Sequence, residues 1–503
     1  MINIPKMTKK LIVVIACAIL GLGSIGQTSL AKFREVNELV VAEFNSGDFK
    51  AIYAAAGQTY KDLNSEGELT GTLNYMKNTF GQVKSSQLIE DLGDIKYFKW
   101  NCEKGAIRFE LWIDGSSIIQ YKLNNLVMQP DAITKRPVTD NLLKNGIDSL
   151  VNKYAAIYMS DPKAVGLSLG VYYHGRKYIY NYGEMEKGSG RPVTDQTIFT
   201  VGSITKTFTG VLLCRAVSEK KASFGDDIRK YLDGNYPNLE YQGHPITLLD
   251  LARHTSGVRK FRFNVVPASA DNWSPEEWMR YFDTYTWDSL FRDLHALRVD
   301  TLPGVQYHYS LIGTTLLNIA IEKIYHGSID QIVRDYYGHE FHMKDTKLAS
   351  DAGDIPRYAT GYGDKGQLMP RTPEYTPSLS SIHSTTRDMM SYLEANVLET
   401  NPVIKLSHKK TWGDMKAFAV GIPWDMETYY GKYEMIWHSG FDYGSISLCA
   451  FYPEMKMGMF LWANDDSRQS YLYDMERSIR QSLIFQDSFR KRRALKGGSK
   501  LGQ

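Results

Sequence analysis

Strand-forming runs stand at the two ends of one long segment, and helical signals fill the distance between them. The first run, "VGLSLGVYYHGRKYIYNYG" (165–183), reads as two strands joined at His174-Gly175. The second, "YEMIWHSGFDYGSISLCAFYPEMKMGMFLWAND" (433–465), reads as three more, with turns at Gly440 to Gly444 and at Pro453-Glu454. Strands drawn from both ends can complete one antiparallel sheet, and the intervening helices must then cover it. A helix is expected around Leu142 to Met159, and a final one from about Gln469 to Phe485. This pattern sets the fold class as α+β, an antiparallel sheet flanked by helices.

The sheet segment does not account for the whole chain. At 503 residues the protein exceeds what one ordinary core holds, so more than one domain is expected. Residues 32–125 form a small α+β unit of their own. Val36, Val40 and Phe44 recur at helical spacing, and "NSGDF" breaks that helix before a second one through Ala55. In "AIRFELWIDGSSIIQYKL", Ile107, Phe109, Leu111 and Ile113 share one face and Arg108, Glu110 and Trp112 the other. Asp114-Gly115 turns this strand back into Ile119, Tyr121 and Leu123, which makes a hairpin. The pattern is similar to the nuclear transport factor two-like cone fold, and it implies accessory packing or ligand capture. The stretch "NNLVMQPDAITKRPV" reads as a linker. The resulting division is 1–31 leader, 32–125 accessory domain, 126–139 linker, 140–487 main domain and 488–503 basic tail.

Residues 1–31 have the three parts of a secretory signal: Lys6, Lys9 and Lys10, the apolar "LIVVIACAILGLG", and "SLA" ending at Ala31. The apolar run is shorter than the ~20 residues of a membrane span. An exported protein, periplasmic or extracellular, with no integral membrane span, is the expectation. The formal charge of +3 equals the three lysines of this leader, which has no acid, so the remainder is near neutral. Near-neutrality removes the electrostatic case for nucleic acid as a partner. The tail "FRKRRALKGGSK" is locally basic and reads as a frayed, solvated end. Outside the leader, Cys102, Cys214 and Cys449 are an odd number at wide separations and give no disulfide framework. No histidine–cysteine cluster has metal-ligand spacing, so no metal is expected, and no cofactor.

Ser203 stands three residues before Lys206 in "FTVGSITKTFTGVLL", where an extended apolar run meets Gly202 and then an apolar helix. That spacing stacks the two side chains on one helix face. A helix N-terminus offers free backbone N–H groups and a dipole that favours developing negative charge. The same Ser-x-x-Lys spacing occurs at Ser160/Lys163, Ser218/Lys221 and Ser407/Lys410, without that strand-to-helix junction. Alone, the spacing leaves open a nucleophile with its base or an ordinary helix start.

Three further stretches occur in order: "PITLLDLARHTSGV" (245–258), "LPGVQYHYSLIGTTLLNIAIEKI" (302–324) and "WHSGFDYGS" (437–445). With Ser203 and Lys206, and with "SSIHSTTRDMMSYL" in place of a glycine-rich run, they resemble the penicillin-recognising serine hydrolases. The branch is that of class C β-lactamases, class C-type D-alanyl-D-alanine carboxypeptidases and related esterases, over roughly Asp140 to Phe485. The resemblance implies a β-lactamase/transpeptidase-like fold with an all-helical subdomain. It implies Ser203 as acylated nucleophile, Lys206 as its base and Tyr309 as proton relay, with Tyr307 as the fallback. A desolvated lysine loses affinity for its proton, which is what base catalysis by an amine needs. His438 takes an electrostatic role, Ser439 donates to a substrate carboxylate, and Gly440 admits substrate to the strand edge. The backbone N–H of Phe441, with that of Ser203, forms the oxyanion hole. Leu311 departs from the pattern, since the family carries an asparagine there that binds the amide of the substrate's acyl group. Efficient β-lactam hydrolysis is therefore not expected, whereas ester or D-alanyl peptide hydrolysis is, on a small-molecule or peptide substrate of cell-wall or other origin. The competing reading is a binding or sensing protein that keeps the fold without turnover.

Overall fold

The computed structural model describes residues 29–57, 61, 66–91, 95–114, 117–125, 137–258, 274, 276–277, 280, 284–363, 365–369, 381–416, 418–429, 433–466 and 469–497. Residues 1–28 of the leader, the turn at Gly115 and the loop 260–273 lie outside these residues, whereas "SLA" (29–31) is described and forms the start of a helix. The chain divides into two compact units, with the division after residue 126. Among the described residues no helix is long and apolar enough to cross a membrane.

In the first unit, helix α1 (Leu30–Ser46) starts where the Ser29 side chain accepts the Lys32 N–H, and ends at Gly47, whose φ of 86° stops a right-handed helix. Its buried stripe of Phe33, Val36, Val40 and Phe44 has the spacing expected of one apolar face. Helices α2 (Phe49–Ala55) and α3 (Glu66–Phe80) follow, then strands β1 (Val83–Asp91), β2 (Ile95–Cys102), β3 (Gly105–Asp114) and β4 (Ser117–Asn125). The four strands form one antiparallel sheet in sequence order. Sequence reading found the hairpin β3–β4 but not β1 and β2. Trp100 of β2 centres the core, with ring centres 4.4 Å from Phe109 and 5.5 Å from Phe44. Ile107, Phe109, Leu111 and Ile113 are all buried against it.

The second unit opens with α4 (Gly146–Met159). The helix begins four residues later than the sequence suggested, because the Asn145 side chain caps it by accepting from the N–H groups of Ile147 and Asp148. Strands β5 (Gly166–Tyr173) and β6 (Arg176–Gly183) come next, then the short strand β7 (Phe199–Thr200) and helix α5 (Thr205–Ser218). The middle is helical: α6 (Leu248–Ala252), α7 (Trp287–Ala296), α8 (Leu311–Tyr325) and α9 (Ile329–Phe341). Strand β8 (His383–Ser384) pairs with β7, and α10 (Thr386–Leu398) and α11 (Pro402–Ser407) lead back to the sheet. The last strands are β9 (Trp412–Asp414), β10 (Phe418–Val420), β11 (Asp425–Tyr429), β12 (Tyr433–Asp442), β13 (Ser445–Tyr452) and β14 (Met457–Ala463), before helix α12 (Gln469–Gly497).

The main sheet has eight antiparallel strands in the order β9-β10-β11-β12-β13-β14-β5-β6, so β14 from the end of the chain pairs with β5 from the start. Every residue of β5, β13 and β14 is buried, because helices cover both faces. Ser168 meets Thr386 of α10 on one side (2.6 Å), and the Tyr452 hydroxyl donates to Glu476 of α12 on the other (3.0 Å). Two boundaries differ from the sequence reading. Strand β12 continues through Gly440 to Asp442 and turns at Tyr443-Gly444, so Gly440 is a close-approach residue and not a turn residue. Helix α12 continues past Phe485 to Gly497, since "DSFRKRRALK" contains no helix breaker; the basic stretch is helical and not a frayed coil.

Helix α5 is buried nearly all round, as a helix at the centre of a domain must be. Its Phe208 stacks on Tyr392 with ring centres 4.2 Å apart and meets the tilted ring of Tyr337 at 4.6 Å. Phe208→Ala is expected to cost about 3–5 kcal/mol in denaturant unfolding of this unit. Leu368→Ala, at an exposed position, should stay within about 0.5 kcal/mol of wild type.

Candidate active site

Ser203 sits on the single 3-10 turn Gly202–Ile204 that joins β7 to α5. Three other serines with the Ser-x-x-Lys spacing lie at helix C-terminal ends: Ser160 is the cap residue after α4, and Ser218 and Ser407 close α5 and α11. Those ends present carbonyls, which repel a developing oxyanion, whereas Ser203 stands before a helix. Neighbouring segments fix the turn. The Gly202 N–H donates to Ser381 Oγ (3.0 Å) and the Val201 N–H to the Ile382 carbonyl (2.9 Å). Ser445 and Ser447 of β13 donate to the carbonyls of Thr200 (2.9 Å) and Val201 (2.8 Å).

The predicted pair comes together. Lys206 Nζ, on a side chain whose residue is only 6% exposed, donates to Ser203 Oγ at 3.1 Å. Tyr309 is brought in by the start of α8, where Ser310 caps the helix by accepting the Gly313 N–H (3.0 Å). The Tyr309 hydroxyl donates to the same Ser203 Oγ at 2.6 Å, and Lys206 Nζ lies 4.9 Å from the Tyr309 ring centre. Tyr307 points elsewhere. Its ring packs on Trp412 (5.7 Å) and Phe418 (5.1 Å), and burial, then Asp425 and Tyr309, holds its phenol well above the ordinary range. It does not serve as the fallback.

Strand β12 supplies the opposite wall. Among the described residues, strand β11 pairs with it only as far as Asp425 opposite Trp437, and this pairing does not extend to His438–Phe441. The Gly202–Ser203 turn lies against this stretch. A Cβ on Gly440 would sit 2.0 Å from the Val201 carbonyl oxygen, and one on Gly202 would sit 2.6 Å from the Phe441 nitrogen. His438 and Gly440 face the turn, whereas Ser439 and the exposed Phe441 alternate to the other face.

His438 is 4% exposed, and its Nδ1–H donates to the Ser439 carbonyl at 2.7 Å, which leaves Nε2 as a bare acceptor. Burial, then the nearby Lys206 amine, pushes its pKa down to about 4 against the smaller opposing effect of that hydrogen bond. The imidazole is therefore neutral near pH 7. A second buried imidazole, His254, also borders the site. Burial first, then Lys206 and His438, holds it well below the ordinary histidine range. It lies within "ARHTSG", a stretch the sequence reading quoted without giving any of its residues a role. Ser381, Ser445 and Ser447 were missed as well, although Ser381 belongs to "SSIHS" and Ser445 ends "WHSGFDYGS".

A family model described as Beta-lactamase matches residues 147–483. A beta-lactamase of Providencia stuartii is 27% identical over 256 residues, covering 50% of this chain and 59% of that protein. The D-alanyl-D-alanine-carboxypeptidase/endopeptidase AmpH of Escherichia coli (strain K12) is 24% identical over 344 residues, covering 65% of this chain and 85% of its own length. A solved class C beta-lactamase shares the fold with a TM-score of 0.57 at 23% identity, covering 68% of this chain and 98% of that one.

The depressed His438 pKa has a signed consequence for stability. The unfolded chain binds this proton below about pH 6.5 and the folded chain only near pH 4, so stability falls as pH drops through that window. Between pH 7 and pH 5 His438 alone should remove about 2 kcal/mol. Urea unfolding of His438→Gln should show that much less loss than wild type over the same interval.

Proposed function

The chain belongs to the beta-lactamase family, and from that premise we propose that it is an exported serine hydrolase acting through Ser203, Lys206 and Tyr309. One observation carries the reading: a single hydroxyl oxygen accepts hydrogen bonds from both an amine (3.1 Å) and a phenol (2.6 Å) at a helix start. That is the geometry a general base and a proton relay need around a nucleophile.

In acylation, Ser203 Oγ attacks the substrate carbonyl carbon. Its proton passes to the Lys206 amine, and the carbonyl oxygen becomes an oxyanion facing the N–H groups of Ser203 and Phe441. The tetrahedral intermediate collapses, the leaving group takes a proton through Tyr309, and an ester remains on Ser203. Water then attacks that ester, its proton returning along the same groups, and the free acid departs. Each oxyanion donor in such a site contributes about 3 kcal/mol to lowering the barrier.

Two features bear on substrate class. Leu311, the first residue of α8 and 37% exposed, presents neither donor nor acceptor next to Tyr309, which disfavours acyl groups that need an amide partner. His438 is neutral and adds no charge for a substrate carboxylate, and Ser439, on the face of β12 away from the Ser203 turn, does not fill the carboxylate-donor role that the resemblance implies. Together they favour a small ester or a D-alanyl peptide over efficient β-lactam hydrolysis. The N-terminal unit is read as an accessory domain of cone-like α+β type, and export rests on the leader sequence.

Wild-type protein should label with a fluorophosphonate probe and turn over a chromogenic ester. Ser203→Ala should lose the label and at least ~10³-fold in kcat. An unlabelled wild type overturns hydrolysis in favour of a binding role. Leu311→Asn should raise kcat/KM for an amide-bearing cephalosporin by about tenfold relative to a simple ester, read from the ratio of the two substrates.

A further inference from the structure

Tyr309 is held on both sides by one residue. The N–H of His308, immediately before it, donates to the His254 carbonyl (2.7 Å), and the N–H of Ser310, immediately after it, donates to His254 Nδ1 (3.3 Å). The His254 ring also packs against the Tyr309 ring, with centres 4.7 Å apart and planes inclined by 43°. His254 itself is 2% exposed and has a φ of +60°, a left-handed conformation rare for a residue with a side chain. Contacts from the same turn hold it there: the Thr255 N–H donates to the Asp250 carbonyl (2.8 Å), and the Gly304 N–H to the Thr255 carbonyl (2.8 Å).

From this bracketing we infer that His254 is the positioning residue for Tyr309, setting the distance between its hydroxyl and Ser203. The inference deepens the hydrolase reading and rests on Tyr309 as the proton relay. The chemistry requires a neutral imidazole of one tautomer. Nδ1 must stay bare to accept the Ser310 N–H, so the proton sits on Nε2. That Nε2 is buried and has no hydrogen-bond partner among the described residues. A buried donor without a partner is costly, so its retention points to a demand on the other nitrogen and on the ring. Proton relay tolerates little displacement, and an error of about 1 Å in such a group can lower the rate ~10²-fold.

The test uses the full chain with His254→Leu, which removes the acceptor and the ring, and His254→Asn, which keeps an acceptor and suits a left-handed backbone. Crystal structures are read first, because they do not depend on activity. In His254→Leu the Tyr309 hydroxyl should leave hydrogen-bond range of Ser203, whereas His254→Asn should retain it. Should the leucine variant fail to fold, the asparagine variant still decides: lacking the ring, it must show a tilted Tyr309 ring, and an unmoved one overturns the inference. For turnover of a chromogenic ester, kcat should fall ~100-fold in the leucine variant with KM within about threefold, and the asparagine variant should recover part of it. A leucine variant with the 2.6 Å contact intact, or a change confined to KM, overturns the inference. If wild type neither labels nor turns over, the hydrolase reading fails, and the structural arm still decides what holds Tyr309.

Discussion

The working part of this molecule depends on a backbone contact that no side chain could enter. The segment Val201–Gly202 runs against β12 so closely that a methyl group on either Gly202 or Gly440 would overlap main-chain atoms of the other segment. This contact puts the nucleophile's turn beside the backbone nitrogen of Phe441. Ser445 and Ser447 reinforce it from β13, and Ser381 from the segment before β8. Each of these hydroxyls is buried and spends its donor on a backbone carbonyl or accepts a backbone N–H, so the turn has little freedom to relax.

The sheet was legible in the sequence because period-two alternation and turn residues survive at both ends of the segment, and the antiparallel closure of β14 on β5 follows from them. Ser203 was legible for a different reason. Its spacing to Lys206 recurs at other serines, and the junction of extended run, glycine and apolar helix separated it from Ser160, Ser218 and Ser407. What escaped was information carried by non-local pairing. Strands β1 and β2 carry polar residues on a curved sheet, so their alternation is weak. The role of Gly440 could be stated as close approach, but its assignment to a turn failed because a glycine that makes room looks the same in sequence as one that bends the chain. His254 was hidden most completely. Its function comes from hydrogen bonds to residues 308 and 310, more than fifty positions along, and from a left-handed backbone that nothing in "ARHTSG" announces.

The two buried imidazoles add donors and acceptors beside Lys206 without adding charge of their own. Lys206 lowers the proton affinity of both His254 and His438, and burial does the larger share. Their hydrogen bonds to the backbone then fix opposite tautomers: His438 donates from Nδ1 and keeps a bare Nε2, while His254 accepts at Nδ1 and carries its proton on Nε2. A charged imidazole at His254 would need a second proton on the nitrogen already committed to accepting the Ser310 N–H. Neutral rings with assigned donors and acceptors supply fixed dipoles instead of mobile charge. Such dipoles need no reorganisation when charge develops on the reacting oxygen, which is the condition under which a buried polar site lowers a barrier instead of only destabilising the fold.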